Sequence, residues 1–404
     1  MRLFICIILC LAVLVFPVSA EGAVTVSSEY ISDDMYEPLP VSSAAATPVG
    51  QVLEIKAQSA VLLEPRTMQL LYESNADERL SPASITKIMS LLLVVEAIDA
   101  GHLQLTDTIT ASEYACSMGG SQIWLEPGET MTVDELLKAC FIASANDATV
   151  ALAEAVAGSE EAFVAEMNAR AAELGMINTV FKNTTGLDAE GHYTTAYDVA
   201  LMSAELMKHE IVKSYSTVWM DSLRGGKSEL VNTNKLVRFY EGCTGLKTGT
   251  TSAAGHCLAA TAERNGLSLV AVVLKAPSSN DRFESARKLL NYGFANYNFS
   301  YIEYDNSLPL EAHITGGVEN TVTLYPEGGL NVLLKKSDKG SITQSVRLNG
   351  EICAPIKKGD VIGTVTVYNG DTPLGEIELL AEKDVEKLSF FYLLKKLLYE
   401  LFIM

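Results

Sequence analysis

The sequence predicts a mixed α/β (α+β) domain with a central buried helix and an antiparallel sheet. A small all-β domain and a C-terminal amphipathic helix are predicted to follow. Three observations carry this. The run Ile88-Met-Ser-Leu-Leu-Leu-Val-Val95 is apolar almost all round, the pattern of a helix enclosed by protein. Strand-like apolar runs precede that helix and return near residue 242, so the two ends of the first domain share one sheet. Beyond about residue 300, short β-type runs alternate with turns such as Glu327-Gly-Gly329 and Asn369-Gly-Asp371, as in a small sandwich or barrel.

The chain has 404 residues, more than one ordinary compact domain needs, and a 48% apolar fraction able to bury a large core. With 50 Asp and Glu against 30 Lys and Arg, it lacks the clustered positive charge of a nucleic-acid surface. Residues 1–20 read as a secretory signal peptide, with Arg2, an apolar stretch over 3–16 and the small-residue end Val18-Ser-Ala20. Pro17 disfavours an uncleaved anchor, so the mature chain is expected beyond the cytoplasmic membrane, at its outer face. Residues 21–50, rich in Ser, Ala, Val, Pro and acids, read as a flexible leader.

Within the first domain, expected over 51–298, short apolar runs at 53–55 and 60–63 suggest strands, with Glu64-Pro-Arg-Thr67 as the turn before 70–72, giving two strands ahead of the central helix. Ser81 is the expected N-cap of the central helix and Pro82 its first residue, where a missing N–H is harmless. A helical block follows. Thr132-Val-Asp-Glu135 is a capping box opening a helix to about Phe141. Further helices are expected over 147–157, 160–174 and from Thr195 through Met207, the first two stopped by Gly158 and Gly175. Strands return at 242–250, 258–261 and 267–274, and a last helix spans 281–297. The β-rich domain is expected over 299–383, with strands at 322–324, 330–334, 345–348, 361–368 and 377–380, and the terminal helix over 384–404.

Ser81-Pro-Ala-Ser-Ile-Thr-Lys87 is the first stretch with chemical content. The i, i+3 spacing places the Lys87 ammonium beside the Ser84 hydroxyl. A serine becomes a nucleophile when a neighbouring base takes its proton, and a desolvated lysine can be that base. The free N–H of Ser84, in the first turn, suits an oxyanion. Standing alone, S-x-x-K also reads as a helix start with a surface lysine.

Ser144-Ala-Asn146 lies between two predicted helices. If a turn points both side chains into one cleft, the hydroxyl can relay a proton and the amide can hold Lys87 and a substrate carbonyl. The same triplet also fits a polar helix–helix turn. Lys247-Thr-Gly249 falls in a predicted strand. Lys247 and the Thr248 hydroxyl side by side suit a carboxylate, and Gly249 permits close backbone approach. Alternation would send Lys247 and Thr248 to opposite faces, so the strand must be an edge seen from its side. The Thr250 N–H is then a second oxyanion donor, and a peptide adds as an extra strand.

Those three motifs in this order resemble the serine D-alanyl-D-alanine carboxypeptidases, the low-molecular-mass penicillin-binding proteins with a β-lactamase-like transpeptidase domain. The likeness includes Met118-Gly-Gly-Ser-Gln122, Leu125-Glu-Pro-Gly-Glu129, Asn183-Thr-Thr-Gly-Leu187 and Asp281-Arg-Phe283, covering about 55–297 and more loosely the rest. The resemblance implies Ser84 as nucleophile, Lys87 as base, Ser144 and Asn146 as proton-shuttle partners, and Lys247 and Thr248 as carboxylate binders. Peptidoglycan stem peptides are the implied substrate, β-lactams the implied inhibitors. The chain departs from the family at Cys243, where an acidic residue is usual, which bears on substrate preference. Thr250, where histidine is often found, contributes its backbone.

Two other readings compete. A serine β-lactamase shares the motifs, but class A enzymes deacylate with a Glu between the second and third motifs. Asn183-Thr-Thr-Gly-Leu187 contains none, and Glu190 follows it. A catalytically idle wall-binding protein would be expected to lose Ser84, Lys87, Ser144, Asn146 or Lys247. The five histidines show no zinc-ligand spacing and no cofactor or metal is expected. Beyond the signal, Cys116, Cys140, Cys243, Cys257 and Cys353 form an odd, scattered set unlike a disulfide framework. Cys243 and Cys257 flank a hairpin, and their pairing is left open. The terminal segment, interrupted by Lys395, Lys396 and Glu400, suits the plane of a membrane surface better than a span.

Overall fold

The computed structural model describes residues 53–308, 310–337 and 342–403. The expected signal peptide and leader lie outside them. Strands β1 (Ser59–Glu64) and β2 (Gln69–Ser74) form a hairpin, followed by a 3₁₀ turn, Ala83–Thr86, and helix α1 (Lys87–Asp99). Next come β3 (Thr108–Thr110), α2 (Glu113–Cys116), β4 (Thr130–Thr132), α3 (Val133–Lys138), α4 (Asn146–Ala157), α5 (Glu160–Glu173), α6 (Ala196–Leu206) and α7 (Glu210–Ser216). The hairpin β5 (Met220–Leu223) and β6 (Ser228–Val231) and a short α8 (Leu236–Phe239) lead to β7 (Cys243–Thr251), β8 (Gly255–Arg264), β9 (Leu267–Ala276) and α9 (Ser279–Asn296).

One five-stranded antiparallel sheet, ordered β2-β1-β9-β8-β7, joins both ends of this region as expected. Every residue of β1 is buried because the sheet is covered on both faces. Period-2 alternation divides them: Val61 and Leu63 join the helical core with Val270, Val272 and Leu274, while Leu62 lies against Gly293 of α9. Helix α1 is buried from Lys87 through Leu92, as its all-round apolar pattern requires.

The capping box is present: the Thr132 side chain accepts from the Glu135 N–H, and Glu135 accepts from Thr132. Its helix ends at Lys138 and passes through a wider π turn, Ala139–Ala143, to the turn at Ser144. Three local expectations are corrected. Residues 53–55 form no strand. Ser81 caps no helix: the chain enters through a 3₁₀ turn with Pro82 at the cap position, and α-helix begins only at Lys87. Cys243 lies opposite Ala262, and Cys257 opposite Gly249, so these two cysteines are not cross-strand neighbours and both are free.

Beyond α9, strand β10 (Tyr297–Ile302) pairs with β13 (Leu330–Lys335). Strands β11 (Glu311–His313), β12 (Thr321–Pro326), β14 (Ile342–Leu348), β15 (Val361–Asn369) and β16 (Thr372–Ala381) make a second sheet, ordered β11-β12-β16-β15-β14. Val322, Leu324, Val365, Val367 and Leu379 fill its core. Val385 also belongs to that core and exchanges backbone hydrogen bonds with Ile356. The terminal helix α10 therefore starts later than residue 384, at Phe390, and runs to Ile403.

Candidate active site

The α1 helix starts where two glycines admit their neighbours. A Cβ on Gly249 of β7 would stand 2.9 Å from the Pro82 carbonyl oxygen and 3.1 Å from the Ile85 nitrogen. A Cβ on Gly186, whose φ is +86°, would collide with the Ala83 carbonyl. Only glycine lets both segments close on the turn that carries Ser84. The Asn183 side chain accepts from the Gly186 N–H at 2.7 Å and shapes this second segment.

Lys87 is wholly buried, and its Nζ donates to Ser84 Oγ at 3.0 Å and to the Thr185 carbonyl at 2.7 Å. Burial pulls its ammonium down from the ordinary lysine range to about 7, opposed by the nearby Cys140 and Asp147. Ser84 and Lys87 thus meet as the spacing predicts, with an amine poised to exist neutral near neutral pH.

Ser144 takes a left-handed conformation, φ +64°, between the π turn and α4, and Ala145 is extended. That turn resolves the problem of residues i and i+2 sharing a cleft. Ser144 Oγ and Asn146 Oδ1 are both buried and have no partner among the described residues. The Asn146 amide does not hold Lys87. Its Nδ2 donates to the Gly119 carbonyl at 2.6 Å, so the lysine's second partner is the Thr185 carbonyl instead.

Strand β7 is a sheet edge, and Lys247 and Thr248 are both buried despite their alternation. Thr248 Oγ1 donates to Thr233 Oγ1 at 2.7 Å, and Lys247 Nζ reaches only the Thr248 carbonyl, at 3.3 Å. Burial drives the Lys247 ammonium well below its ordinary range, with the Lys87 charge adding to the effect. Arg282 of α9 supports the strand from behind, donating to the Gly249 carbonyl at 3.1 Å and to Thr250 Oγ1 at 2.9 Å. Among the described residues no carboxylate lies within ion-pair distance of Lys87, Lys247 or Arg282. Buried basic groups without counter-charges make a site that favours an anion, whose arrival would hold them protonated.

The sequence reading passed over three contributors. Thr185 acts through its carbonyl, which no side-chain pattern reveals. Asp147 is buried and accepts from the N–H groups of Ile123 and Leu125, tying the strap over 119–129 to the start of α4. Arg282 stood within Asp281-Arg-Phe283, but its buried contact with β7 needed the fold.

Comparison with known proteins agrees with this geometry. Residues 42–278 match the family model for D-alanyl-D-alanine carboxypeptidase, and residues 302–387 match the model for the penicillin-binding protein 5 C-terminal domain. The chain is 42% identical over 345 residues to D-alanyl-D-alanine carboxypeptidase DacF of Bacillus subtilis, covering 84% of this chain and 89% of that one. It is 32% identical to DacC of Escherichia coli, over 86% and 88% of the two chains. Penicillin-binding protein 5 of Haemophilus influenzae superposes with a TM-score of 0.74 at 29% identity, covering 83% of this chain and 99% of that structure. The ampicillin-bound penicillin-binding protein D2 of Listeria monocytogenes superposes with a TM-score of 0.53 at 33% identity, over 60% and 99%. The chain belongs to the S11 peptidase family and is a serine D-alanyl-D-alanine carboxypeptidase.

Proposed function

We propose that Ser84 is the nucleophile and Lys87 the base in removing the terminal D-alanine of peptidoglycan stem peptides. The observation that carries this reading is the 3.0 Å contact between Ser84 Oγ and a wholly buried Lys87 Nζ. Neutral Lys87 takes the hydroxyl proton as Ser84 Oγ bonds to the penultimate D-Ala carbonyl carbon. The Ser84 and Thr250 N–H groups face the oxyanion. As the carbon–nitrogen bond breaks, the proton passes by way of Ser144 Oγ to the departing amine, and D-alanine leaves. Water then attacks the ester carbon, Lys87 takes its proton and returns it to Ser84 Oγ as the carbon–Oγ bond breaks, and the shortened peptide leaves.

In this reading Asn146 Oδ1, left unpartnered, receives a substrate N–H, and the Lys247 ammonium and Thr248 hydroxyl bind the substrate's terminal carboxylate. Gly249 and Thr250 lend their backbone to the added peptide strand. β-Lactams acylate the same serine, as the ampicillin-bound relative suggests. Release of the penicillin acyl group is slow, because Asn183-Thr-Thr-Gly-Leu187 supplies no glutamate as a deacylation base. Residues 51–298 are the catalytic domain and 299–383 the β-rich one.

The mature protein works on the outer face of the cytoplasmic membrane, held there by α10. Among the described residues no helix is long and apolar enough to cross a membrane. The exposed Phe390, Phe391, Leu397 and Leu401 suit a helix lying in the interface. The direct test of the reaction is D-alanine release from a diacetyl-Lys-D-Ala-D-Ala substrate, competed by penicillin. No release, or release untouched by penicillin, overturns it.

A further inference from the structure

Trp124 is 74% exposed, on the strap that borders the Ser144–Asn146 turn. Its backbone φ is +58°, a conformation bulky residues rarely adopt. The surroundings fix it there. Ile123 and Leu125 on either side are buried, and both their N–H groups donate to the buried Asp147. Arg224 Nη1 donates to the Ile123 carbonyl at 2.9 Å, and Nη2 to the Trp124 carbonyl at 3.3 Å. The Asn146 N–H donates to the Ser121 carbonyl at 2.7 Å, so strap and turn are bonded together. A rigid frame holds a large aromatic plane out in water beside the cleft. Strain maintained around an outward-facing indole is a feature of binding surfaces, not of packing.

We infer that Trp124 is a stacking platform for a saccharide ring of the glycan that carries the stem peptide, on the non-scissile side of the substrate. This rests on the reading of the cleft given above. The chemistry is that of a pyranose face, whose C–H bonds are apolar and weakly positive, against the negative face of an indole. The local charge favours a neutral ligand. Arg224, the cation bonded to the Trp124 carbonyl, is already paired with Glu129 at 2.6 Å. Glu126 in the same strap disfavours an anionic membrane surface as occupant.

The chain has two tryptophans, so Trp219→Phe in the full-length protein leaves Trp124 as the reporting indole. That variant, carrying Ser84→Ala to prevent turnover, is titrated with a disaccharide pentapeptide, the free pentapeptide and anionic phospholipid vesicles. The expected result is a shift of indole emission with the disaccharide pentapeptide alone. In otherwise wild-type enzyme, Trp124→Ala should lower the ratio of kcat/KM for disaccharide pentapeptide to that for free pentapeptide by about tenfold, carried by KM, and Trp124→Phe should restore part of it. An equal emission shift with free pentapeptide, a shift with vesicles alone, no shift, or an unchanged ratio overturns the platform. Failure of the wild type to release D-alanine from either substrate overturns the catalytic reading instead, and the emission titration still decides the platform.

Discussion

Lys87 Nζ donates to the Thr185 carbonyl at 2.7 Å while it contacts Ser84 Oγ at 3.0 Å. The carbonyl can keep accepting from the amine after it loses a proton, so the neutral lysine stays aimed at the serine. Burial places its proton loss at about 7. A base must be unprotonated, so penicillin acylation should fall about tenfold per pH unit below that value and level off above it. The same shift should raise stability as pH rises from about 7 toward 10.5, because over that window the unfolded lysine binds a proton that the folded one does not. A stopped-flow acylation profile checks the first expectation; a flat profile between pH 6 and 8 would exclude Lys87 as the base.

Ser84→Ala should abolish labelling by a fluorescent penicillin and D-alanine release, with the fold intact by circular dichroism. Persistent labelling of the folded variant would assign the nucleophile elsewhere.

Lys247 is buried without a counter-ion among the described residues, and its ammonium is held well below its ordinary range. An arriving carboxylate favours the charged form, so substrate binding should raise the Lys247 pKa back toward its ordinary range. Lys247→Ala should cost about 2–5 kcal/mol in transition-state binding. An amidated substrate should be comparably poor for the wild type. Equal turnover of acid and amide substrates would contradict the role.

Gly186→Ala tests the packing behind the serine. Its Cβ would meet the Ala83 carbonyl, and its φ of +86° is strained for any L side chain. The serine turn must shift, with an expected loss of about 2–4 kcal/mol of stability and slower acylation. A thermal melt and an acylation rate both matching wild type would show that the turn tolerates displacement.

Much of this architecture was legible in the sequence because it rests on local patterns. The all-round apolar run from Ile88 marked the buried helix, and Thr132 to Glu135 marked a cap that the structure reproduces. The edge position of β7 followed from needing Lys247 and Thr248 on one site. What stayed hidden depended on distant backbone. The Thr185 carbonyl near Lys87 and the clash that keeps Gly186 a glycine arise from segments about a hundred positions apart. The mode of entry into α1 was misread because Ser81 and Pro82 fit a helix start in isolation. Contact with β7 and Gly186 instead shapes a 3₁₀ turn there.

The terminal helix offers the last test, and the structure places the cut. Val385 is part of the β core and pairs with Ile356, so truncation before it would damage that domain. Truncation after Ser389 removes only α10, whose described apolar side chains face solvent. An amphipathic helix in the interface binds through buried apolar area, so its loss should release the protein from membranes. Penicillin acylation should be unchanged, since none of the proposed active-site residues lies beyond Arg282. Full-length and truncated protein are compared by co-sedimentation with phospholipid vesicles. Equal sedimentation of the two, with acylation intact in both, would assign membrane association to another surface.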